Sequence, residues 1–280
     1  MEPLPLTSDA AGPDRVPETI DTSRAHGGRL YDYLVGGKNN YKADRLAAHR
    51  AYENYPDGGV AGVRKHAIAQ RYFLDRSVRY LAEHAGVRQF LDIGTGLPTE
   101  NNTHEVAQQV APESRVVYVD NDPIVLAHAR ALLTSAPEGR TSYLEADLRD
   151  IDRVLRGAEE LLDFTKPIAV TMLGVLHFVE DGVAHDRVER LVRVLPEGSY
   201  LVVAHLASDV LPEMVDACRS MSQDMTEDVL PRTRAEVARF SEGLDVLDPG
   251  VVQVHRWRPE ARDLPATDAV PVHAFVARKV

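Results

Sequence analysis

Three short segments of the sequence carry residue types that could hold a nucleoside. Gly94 and Gly96 lie in LDIGTGLPTENN, directly after an apolar run, where glycines let the backbone turn tightly and approach a ligand closely. Asp120 ends the run VYVD, and a carboxylate there could accept hydrogen bonds from both hydroxyls of a ribose. Asp147 ends SYLEAD, where it could accept a hydrogen bond from an adenine amine. Together the segments predict an adenosine-shaped site.

Each of these signals also has a simpler structural interpretation. A G-x-G can be only a tight strand-to-helix turn. Asp120 or Asp122 can cap the helix that is predicted to begin at Pro123. The succession of glycine turn, acid and acid after three consecutive strands is more specific than any one of the motifs, and it favours the binding site.

The turn after the first strand favours S-adenosylmethionine over a dinucleotide. A dinucleotide fold uses G-x-G-x-x-G to seat a pyrophosphate against a helix N-terminus, but Thr99 stands at the third glycine position and Glu100 would repel a pyrophosphate. S-adenosylmethionine has no phosphate. Its ammonium could pair with Asp92 or Glu100. A nicotinamide oxidoreductase is therefore the least favoured interpretation.

A parallel sheet must position these segments. After Gly86, β-rich runs alternate with helical patterns, which is typical of a parallel sheet covered by helices. Strands are predicted at residues 89–94, 115–121, 141–147, 167–174 and 199–206, with a closing antiparallel hairpin at 251–257 and 270–279. Because the carboxyl ends of parallel strands meet at one edge of the sheet, the glycine turn and both acids should lie together.

The first 85 residues divide into a tail and a helical segment. Residues 1–20 contain four prolines and no apolar periodicity, which predicts a flexible tail. Residues 21–85 predict three helices: one that stops at Gly36-Gly37, one around 42–52 and one from about 60 to 85. We expect residues 21–85 to form a cap over the cofactor site of residues 86–280.

The glycine turn in this cap could close on the cofactor. Tyrosines flank GGKNN, and a tyrosine face can stabilise a sulfonium by on the order of 0.5–2 kcal/mol. Tyr33 and Asn39 are therefore predicted cofactor contacts. In the alternative interpretation, the tyrosines pack between helices and GGKNN is an ordinary C-cap turn.

Two features could serve the acceptor of a transfer reaction. His177 follows the fourth strand and could remove a proton from the acceptor, although it could equally be a structural histidine, and alignment alone can suffice for transfer to a good nucleophile. Met214, Met221 and Met225 could form an adaptable apolar wall for the acceptor or pack in the core of a helix pair.

Composition disfavours several other functions. The formal net charge is −11, whereas a nucleic-acid binder needs a clustered surplus of Lys and Arg. Cys218 is the single cysteine, so neither an intramolecular disulfide nor a multi-thiolate metal site can form, and no metal site is predicted. No apolar run approaches the roughly 20 residues that span a bilayer. We therefore expect a cytoplasmic protein with a small-molecule partner.

Four stretches resemble one family over nearly the whole chain from Asp21 to Val280. They are LDIGTGLPTENN, VVYVDNDPIVLAHARALL, MLGVLHFVED and RLYDYLVGGKNNY, and they resemble the actinobacterial S-adenosyl methyltransferase family, once catalogued as a domain of unknown function. The resemblance implies a Rossmann-like class I α/β methyltransferase fold, with a seven-stranded, mostly parallel sheet in the order 3-2-1-4-5-7-6 and helices on both faces. It also implies S-adenosylmethionine as cofactor and S-adenosylhomocysteine as product.

The resemblance further implies roles for individual residues. Gly94, Thr95 and Gly96 would cradle the methionine part of the cofactor, and Asp120 would bind the ribose diol. Leu173 and Gly174 would line the cofactor from the fourth strand.

The adenine would lie between two loops. Asn121 and Asp122 would flank it, and Asp147 and Leu148 would meet its other edge. The predicted function is thus methyl transfer to a small metabolite. The alternative is a regulatory module that binds the cofactor or its product without turnover.

Overall fold

A single mixed sheet of eight strands lies at the centre of the computed structural model, which describes residues 21–132 and 134–280. The strands are β1 Gln89–Ile93, β2 Arg115–Asp120, β3 Arg140–Glu145, β4 Ala169–Leu173, β5 Tyr200–Leu206, β6 Asp245–Val246, β7 Val252–Gln253 and β8 Val272–Arg278. The pairs among β1 to β5 are all parallel, and β8 is antiparallel to β5, β6 and β7. The predicted tail at residues 1–20 lies outside the described residues.

The sheet confirms the predicted fold, with one difference at its edge. The observed order is β3-β2-β1-β4-β5-β8-β6, and β7 also pairs with β8. The sixth strand of the expected fold is therefore divided into two short strands. Pro249 lies between them and has no N–H to donate, and Gly250, with φ of +83°, leaves the extended conformation. As a result, the predicted strand at 251–257 is reduced to two residues.

Helices cover both faces of the sheet. They are α1 Gly27–Val35, α2 Lys42–Ala51, α3 Val60–Glu83, α4 Thr103–Val110, α5 Pro123–Leu132, α6 Ile151–Ala158, α7 Asp181–Val194, α8 Pro212–Asp224 and α9 Arg234–Arg239, with short 3₁₀ helices at Leu176–Phe178 and Val254–Arg256. The three helices predicted before the first strand are all present. None of the helices in the described residues is long and apolar enough to cross a lipid bilayer.

The central strands are buried on both faces, so their alternate side chains enter two different cores. Leu91 and Val117 point to the core under α6, α7 and α9, whereas Phe90 and Val116 point to the core under α3 and α4. Trp257 is fully buried in the second core, where its ring meets Phe73 edge-on with centroids 5.6 Å apart. This two-sided burial fixes the strand ends relative to the helices.

A third core joins the first helices to α8. Leu30 and Leu34 of α1 pack there with Ala47 of α2, Met214 and Met221. α8 follows β5 in the chain, so this core attaches residues 21–85 to the sheet from the side of β5. The space between the third core and the strand ends is the cavity described next.

Candidate functional site

A large cavity lies at the carboxyl ends of β1 to β4, bounded by α1, α3 and α8. The cavity is open to solvent, and the empty space inside it and at its mouth is about 1520 Å³. Ligands of open α/β sheets bind at this edge. Ten residues predicted from the sequence line it: Gly94, Thr95, Gly96, Asp120, Asn121, Asp147, Leu148, Leu173, Gly174 and His177.

The turn after β1 requires glycine at two positions. Gly94 has φ of +75°, and a Cβ there would overlap the side chain of Val175. Gly96 has φ of +66°, and its N–H donates to Oδ2 of Asp120 at 2.9 Å. The turn is thereby tied to the end of the neighbouring strand, and its bare backbone faces the cavity.

Asp120 is buried at the end of β2 and holds the two neighbouring loops together. Its Oδ2 accepts the Gly96 N–H, and its Oδ1 accepts the N–H of Asp122 at 3.0 Å. Burial raises the pKa of Asp120, while these two backbone hydrogen bonds lower it. Each carboxylate oxygen has two lone pairs, so both retain one for a ligand hydroxyl.

Asp147 lies beside Asn121 at the next strand end, as the parallel sheet predicts. Nδ2 of Asn121 donates to Oδ2 of Asp147 at 3.2 Å, and Nη1 of Arg149 donates to the same oxygen at 3.0 Å. Arg149 also donates through Nη2 to the carbonyl of Phe178 at 2.6 Å, so it links β3 to the loop after β4. Arg149 is a cavity residue that the sequence patterns did not single out.

Asp92 lines the cavity from β1, but its carboxylate is already engaged. Oδ2 accepts from Oγ1 of Thr103 at 2.6 Å, and Oδ1 accepts from Oγ1 of Thr171 at 2.8 Å. Burial raises the pKa of Asp92, and the two threonine hydrogen bonds oppose the shift. Glu100, the other candidate partner for an ammonium, is not part of the cavity wall.

One face of α3 supplies a row of cavity residues that the sequence analysis missed: Val63, His66, Ala67, Gln70, Arg71 and Leu74. Their spacing of three and four residues is that of one helix face. Nε2 of Gln70 donates to the carbonyl of Leu173 at 3.1 Å, and Nη2 of Arg71 donates to the carbonyl of Glu100 at 2.9 Å. The periodicity of the sequence could indicate this helix, but not which of its faces meets the cavity.

Asp122 is not part of the cavity wall, although adenine contact was predicted for it. Its Oδ1 accepts the N–H of Ile124 at 2.9 Å, which is the capping role that the alternative interpretation gave it. Its Oδ2 lies 3.2 Å from Nδ1 of His26, the residue before α1. His26 does line the cavity and had no recognised signal in the sequence.

Tyr33 and Asn39 also lie away from the cavity wall, although cofactor contact was predicted for both. The hydroxyl of Tyr33 lies 3.0 Å from Nε2 of His49, and the backbone N–H of Asn39 donates to Oδ2 of Asp32 at 3.0 Å. A Cβ on Gly37 would overlap the Asp32 carboxylate. The GGKNN turn is therefore wrapped around a buried aspartate, in agreement with the C-cap interpretation.

His177 lines the cavity from the 3₁₀ helix after β4, and it is almost fully buried. Its Nδ1 has no hydrogen-bond partner within the described residues. Burial, and then the nearby His205 and Arg232, lower the pKa of His177 well below the ordinary value. The ring is thus neutral at pH 7 and can accept a hydrogen bond.

The three methionines in and directly after α8 are placed for either of the uses that the sequence left open. Met214, Met221 and Met225 line the cavity and are also members of the third core. The hydroxyl of Tyr52 donates to Sδ of Met221 at 3.6 Å.

The described residues contain no group of three or more His, Cys, Asp or Glu side chains that could hold a metal ion.

Comparison with known proteins agrees with this geometry. Residues 13–280 match the family model described as S-adenosyl methyltransferase. A solved DUF574 family protein from Streptomyces avermitilis is 44% identical and superposes with a TM-score of 0.88, covering 93% of this chain and all of that one (100%). A protein assigned as a methyltransferase, from Thermobifida fusca, is 38% identical with a TM-score of 0.85, covering 95% of this chain and 99% of that one.

More distant structures share the fold alone. An O-methyltransferase family protein from Burkholderia thailandensis is 14% identical with a TM-score of 0.53, over 79% of this chain and 58% of that one. Comparison with curated protein sequences finds no match.

Proposed function

Because the chain belongs to the S-adenosyl methyltransferase family, we propose that it transfers the methyl group of S-adenosylmethionine to a small molecule held in the same cavity. The observation that carries this proposal is the continuity of the cavity. It extends from the polar strand ends at Asp120 and Asp147 to the apolar side chains of α1, α3 and α8. One cavity can thus hold a nucleoside and an acceptor side by side. In this proposal residues 21–85 are the cap and residues 86–280 are the methyltransferase domain.

The strand ends fit the nucleoside part of the cofactor. Gly94, Thr95 and Gly96 line the cavity, a Cβ on Gly96 would extend into open space, and Asp120 has lone pairs left for a ribose diol. The adenine and the rest of the cofactor would be lined by Asn121, Asp147, Leu148, Leu173 and Gly174.

Arg71 and Asp92 fit the amino-acid part of the cofactor. Arg71 uses Nη2 for the carbonyls of Glu100 and Asn101, and its other N–H groups have no acceptor among residues 21–132 and 134–280, so they can donate to the cofactor's carboxylate. Asp92 lies on the cavity wall, and each of its oxygens accepts one threonine hydroxyl and keeps a second lone pair that can accept from the cofactor's ammonium. The opposite charges of the two side chains match those of the ligand.

S-adenosylmethionine supplies a methyl group that is electrophilic because it is bonded to a sulfonium. As the acceptor attacks, its bond to the methyl carbon forms while the sulfur–carbon bond breaks, and that electron pair stays on sulfur. The protein's part is to align the acceptor and exclude water. The acceptor's proton goes to solvent or to the neutral imidazole of His177, which lies on the wall next to the end of β4.

Calorimetric titration with S-adenosylmethionine, S-adenosylhomocysteine and NAD tests the cofactor site. We expect micromolar binding of the first two and none of NAD. Asp120→Ala should weaken both by at least about tenfold, since each carboxylate hydrogen bond to a ribose hydroxyl contributes about 1.5–3 kcal/mol. Asp216→Ala, on the exposed side of α8, is the matched control and should bind like the wild type. Unchanged affinity in Asp120→Ala would contradict this site.

Transfer itself is tested with the methyl-labelled cofactor. Incubation with fractionated small-molecule extract should yield labelled product of low molecular mass. Binding of the cofactor without any labelled product would instead favour the regulatory module.

A further inference from the structure

The part of the cavity that adjoins the third core has an uncharged wall. We call it the inner chamber, and its wall is formed by Leu34, Tyr52, Val63, His66, Met214 and Met221. The carboxylates and guanidinium groups that line the cavity belong to the other side. Most of them lie at or just after the ends of β1, β2 and β3. Arg71 and Glu227 lie elsewhere in the chain but are hydrogen-bonded to the loops that follow β1 and β3. A ligand in the inner chamber therefore meets one ionisable nitrogen base, His66.

The ring of His66 is held in a fixed orientation. Its Nδ1 lies 3.1 Å from the hydroxyl of Tyr55, and the two rings meet edge-on with centroids 5.8 Å apart. Burial raises the pKa of Tyr55, so this phenol keeps its proton. Nε2 has no hydrogen-bond partner in the described part of the chain, and His66 lies on the cavity wall. Nε2 is thus the polar atom that His66 can offer to a ligand.

His66 is also close to the place of methyl transfer. It lies one helical turn before Gln70 on the same face of α3, about 6 Å along the helix axis. Nε2 of Gln70 donates to the carbonyl of Leu173, the last residue of β4, which lines the cofactor in the proposed function. A molecule bound to His66 therefore needs to be only a few atoms long to reach the end of β4.

We propose that the acceptor is an uncharged, largely apolar molecule whose hydroxyl group hydrogen-bonds to Nε2 of His66. This inference rests on the proposed methyl transfer. A carboxylic acid would enter the inner chamber as an anion and find no cation on its wall. An aliphatic amine would enter as a cation and find no carboxylate there, since Glu213, which acts on Tyr55, does not line the cavity. The burial of either ion is costly. A hydroxyl both donates and accepts, so it suits either tautomer of His66. The methionine side chains can adapt to an apolar body.

Burial lowers the pKa of His66 to about 4. The ring is therefore neutral at pH 7, consistent with a partner that carries no negative charge. His177 can then take the proton during transfer while His66 holds the acceptor.

Binding of 2-naphthol to the full chain saturated with S-adenosylhomocysteine tests the inference by calorimetry. 2-Naphthol is neutral, apolar and carries one hydroxyl. We expect it to bind at least tenfold more tightly than 2-naphthoate or 2-naphthylmethylamine, which carry opposite charges on the same ring system. His66→Phe should weaken 2-naphthol binding at least tenfold and leave S-adenosylhomocysteine affinity within twofold, whereas His66→Gln should restore part of the loss.

A second measurement on the wild-type protein does not depend on the folding of a variant. The imidazole resonances of His66, assigned by comparison with His66→Gln, should shift when 2-naphthol is added to the S-adenosylhomocysteine complex. The inference is overturned by no binding of 2-naphthol, by equal binding of the charged analogues, or by His66 resonances that do not respond. Failure of S-adenosylhomocysteine to bind would overturn the proposed function instead, so the two failures are distinguishable.

Discussion

Nδ1 of His26 lies 3.2 Å from Oδ2 of Asp122, and this contact joins the cap to the loop after β2. The backbone N–H of His26 donates to Oδ1 of the buried Asp44 at 3.0 Å, so the residue is held from both sides. Through Asp122, whose N–H binds Asp120, the start of α1 is linked to the proposed ribose site.

His26→Ala should weaken S-adenosylmethionine binding about three- to tenfold. The substitution removes the side chain that lies against Asp122 and forms one polar wall of the cavity, and a three- to tenfold loss corresponds to about 0.7–1.4 kcal/mol of binding free energy. Calorimetry at low ionic strength measures the effect. His84→Ala, at an exposed position on the far end of α3, is the control. Equal affinities for both variants would show that the cap contact does not support the site.

Arg71→Met should weaken binding of S-adenosylmethionine by about 10- to 100-fold, because a charge-assisted hydrogen bond to the cofactor's carboxylate is lost. Binding of 5′-methylthioadenosine, which has no carboxylate, should be unchanged. The ratio of the two affinities is the measured quantity. If both ligands weaken alike, Arg71 acts only by holding the loop at Glu100 and Asn101.

Gly37→Ala should destabilise the protein by at least about 2 kcal/mol. A Cβ at this position would overlap the carboxylate of Asp32, and moving that carboxylate breaks the hydrogen bonds that it accepts from the N–H of Asn39 and from Nδ2 of Asn40. Urea denaturation gives the free energy of unfolding. The control is Gly182→Ala in α7, where a Cβ meets no atom within 4 Å and the variant should be neutral or stabilised by up to about 1 kcal/mol. A neutral Gly37→Ala would contradict the packing of this turn.

The stability of the protein should fall as the pH decreases from about 6.5 to about 4. Burial lowers the pKa of His66 to about 4 and that of His205 to about 3, against about 6.5 in the unfolded chain. Between these values the unfolded chain binds more protons, so the free energy of unfolding decreases as the pH falls, and below the folded-state pKa the effect of each group is constant.

His66→Gln should remove up to about 1.4 kcal/mol per pH unit from this slope, measured by urea denaturation at several pH values. His84→Gln, at an exposed site, should leave the slope unchanged. A His66→Gln slope equal to that of the wild type would mean that His66 is already solvated in the folded protein.

Local patterns were sufficient to predict the sheet and the core of the candidate site. An apolar run that ends in an acid or a glycine turn specifies both a buried parallel strand and the side chain at its carboxyl end. Asp120 and Asp147 were found in this way, and parallel pairing brought them to one edge of the cavity with Gly94. The edge of the sheet was less predictable, because Pro249 interrupts a strand whose apolar pattern continues on either side.

The lining of the cap depended on tertiary structure. Tyr31 and Tyr33 both precede the GGKNN turn, and the sequence pattern does not distinguish their roles. In the structure, Tyr31 lines the cavity and Tyr33 contacts His49 outside it. Residues two apart lie on different sides of a helix, and α1 packs against α2 and α3, so only its docking decides which side faces the site.

The sequence by itself thus determined the fold, the cofactor and the acids at the strand ends, because these follow from short-range patterns and from the geometry of a parallel sheet. Only the tertiary structure decided that His26, His66 and Arg71 line the same cavity. α3 is buried on several sides, and nothing in its periodicity distinguishes the side that packs on the sheet from the side that faces a ligand.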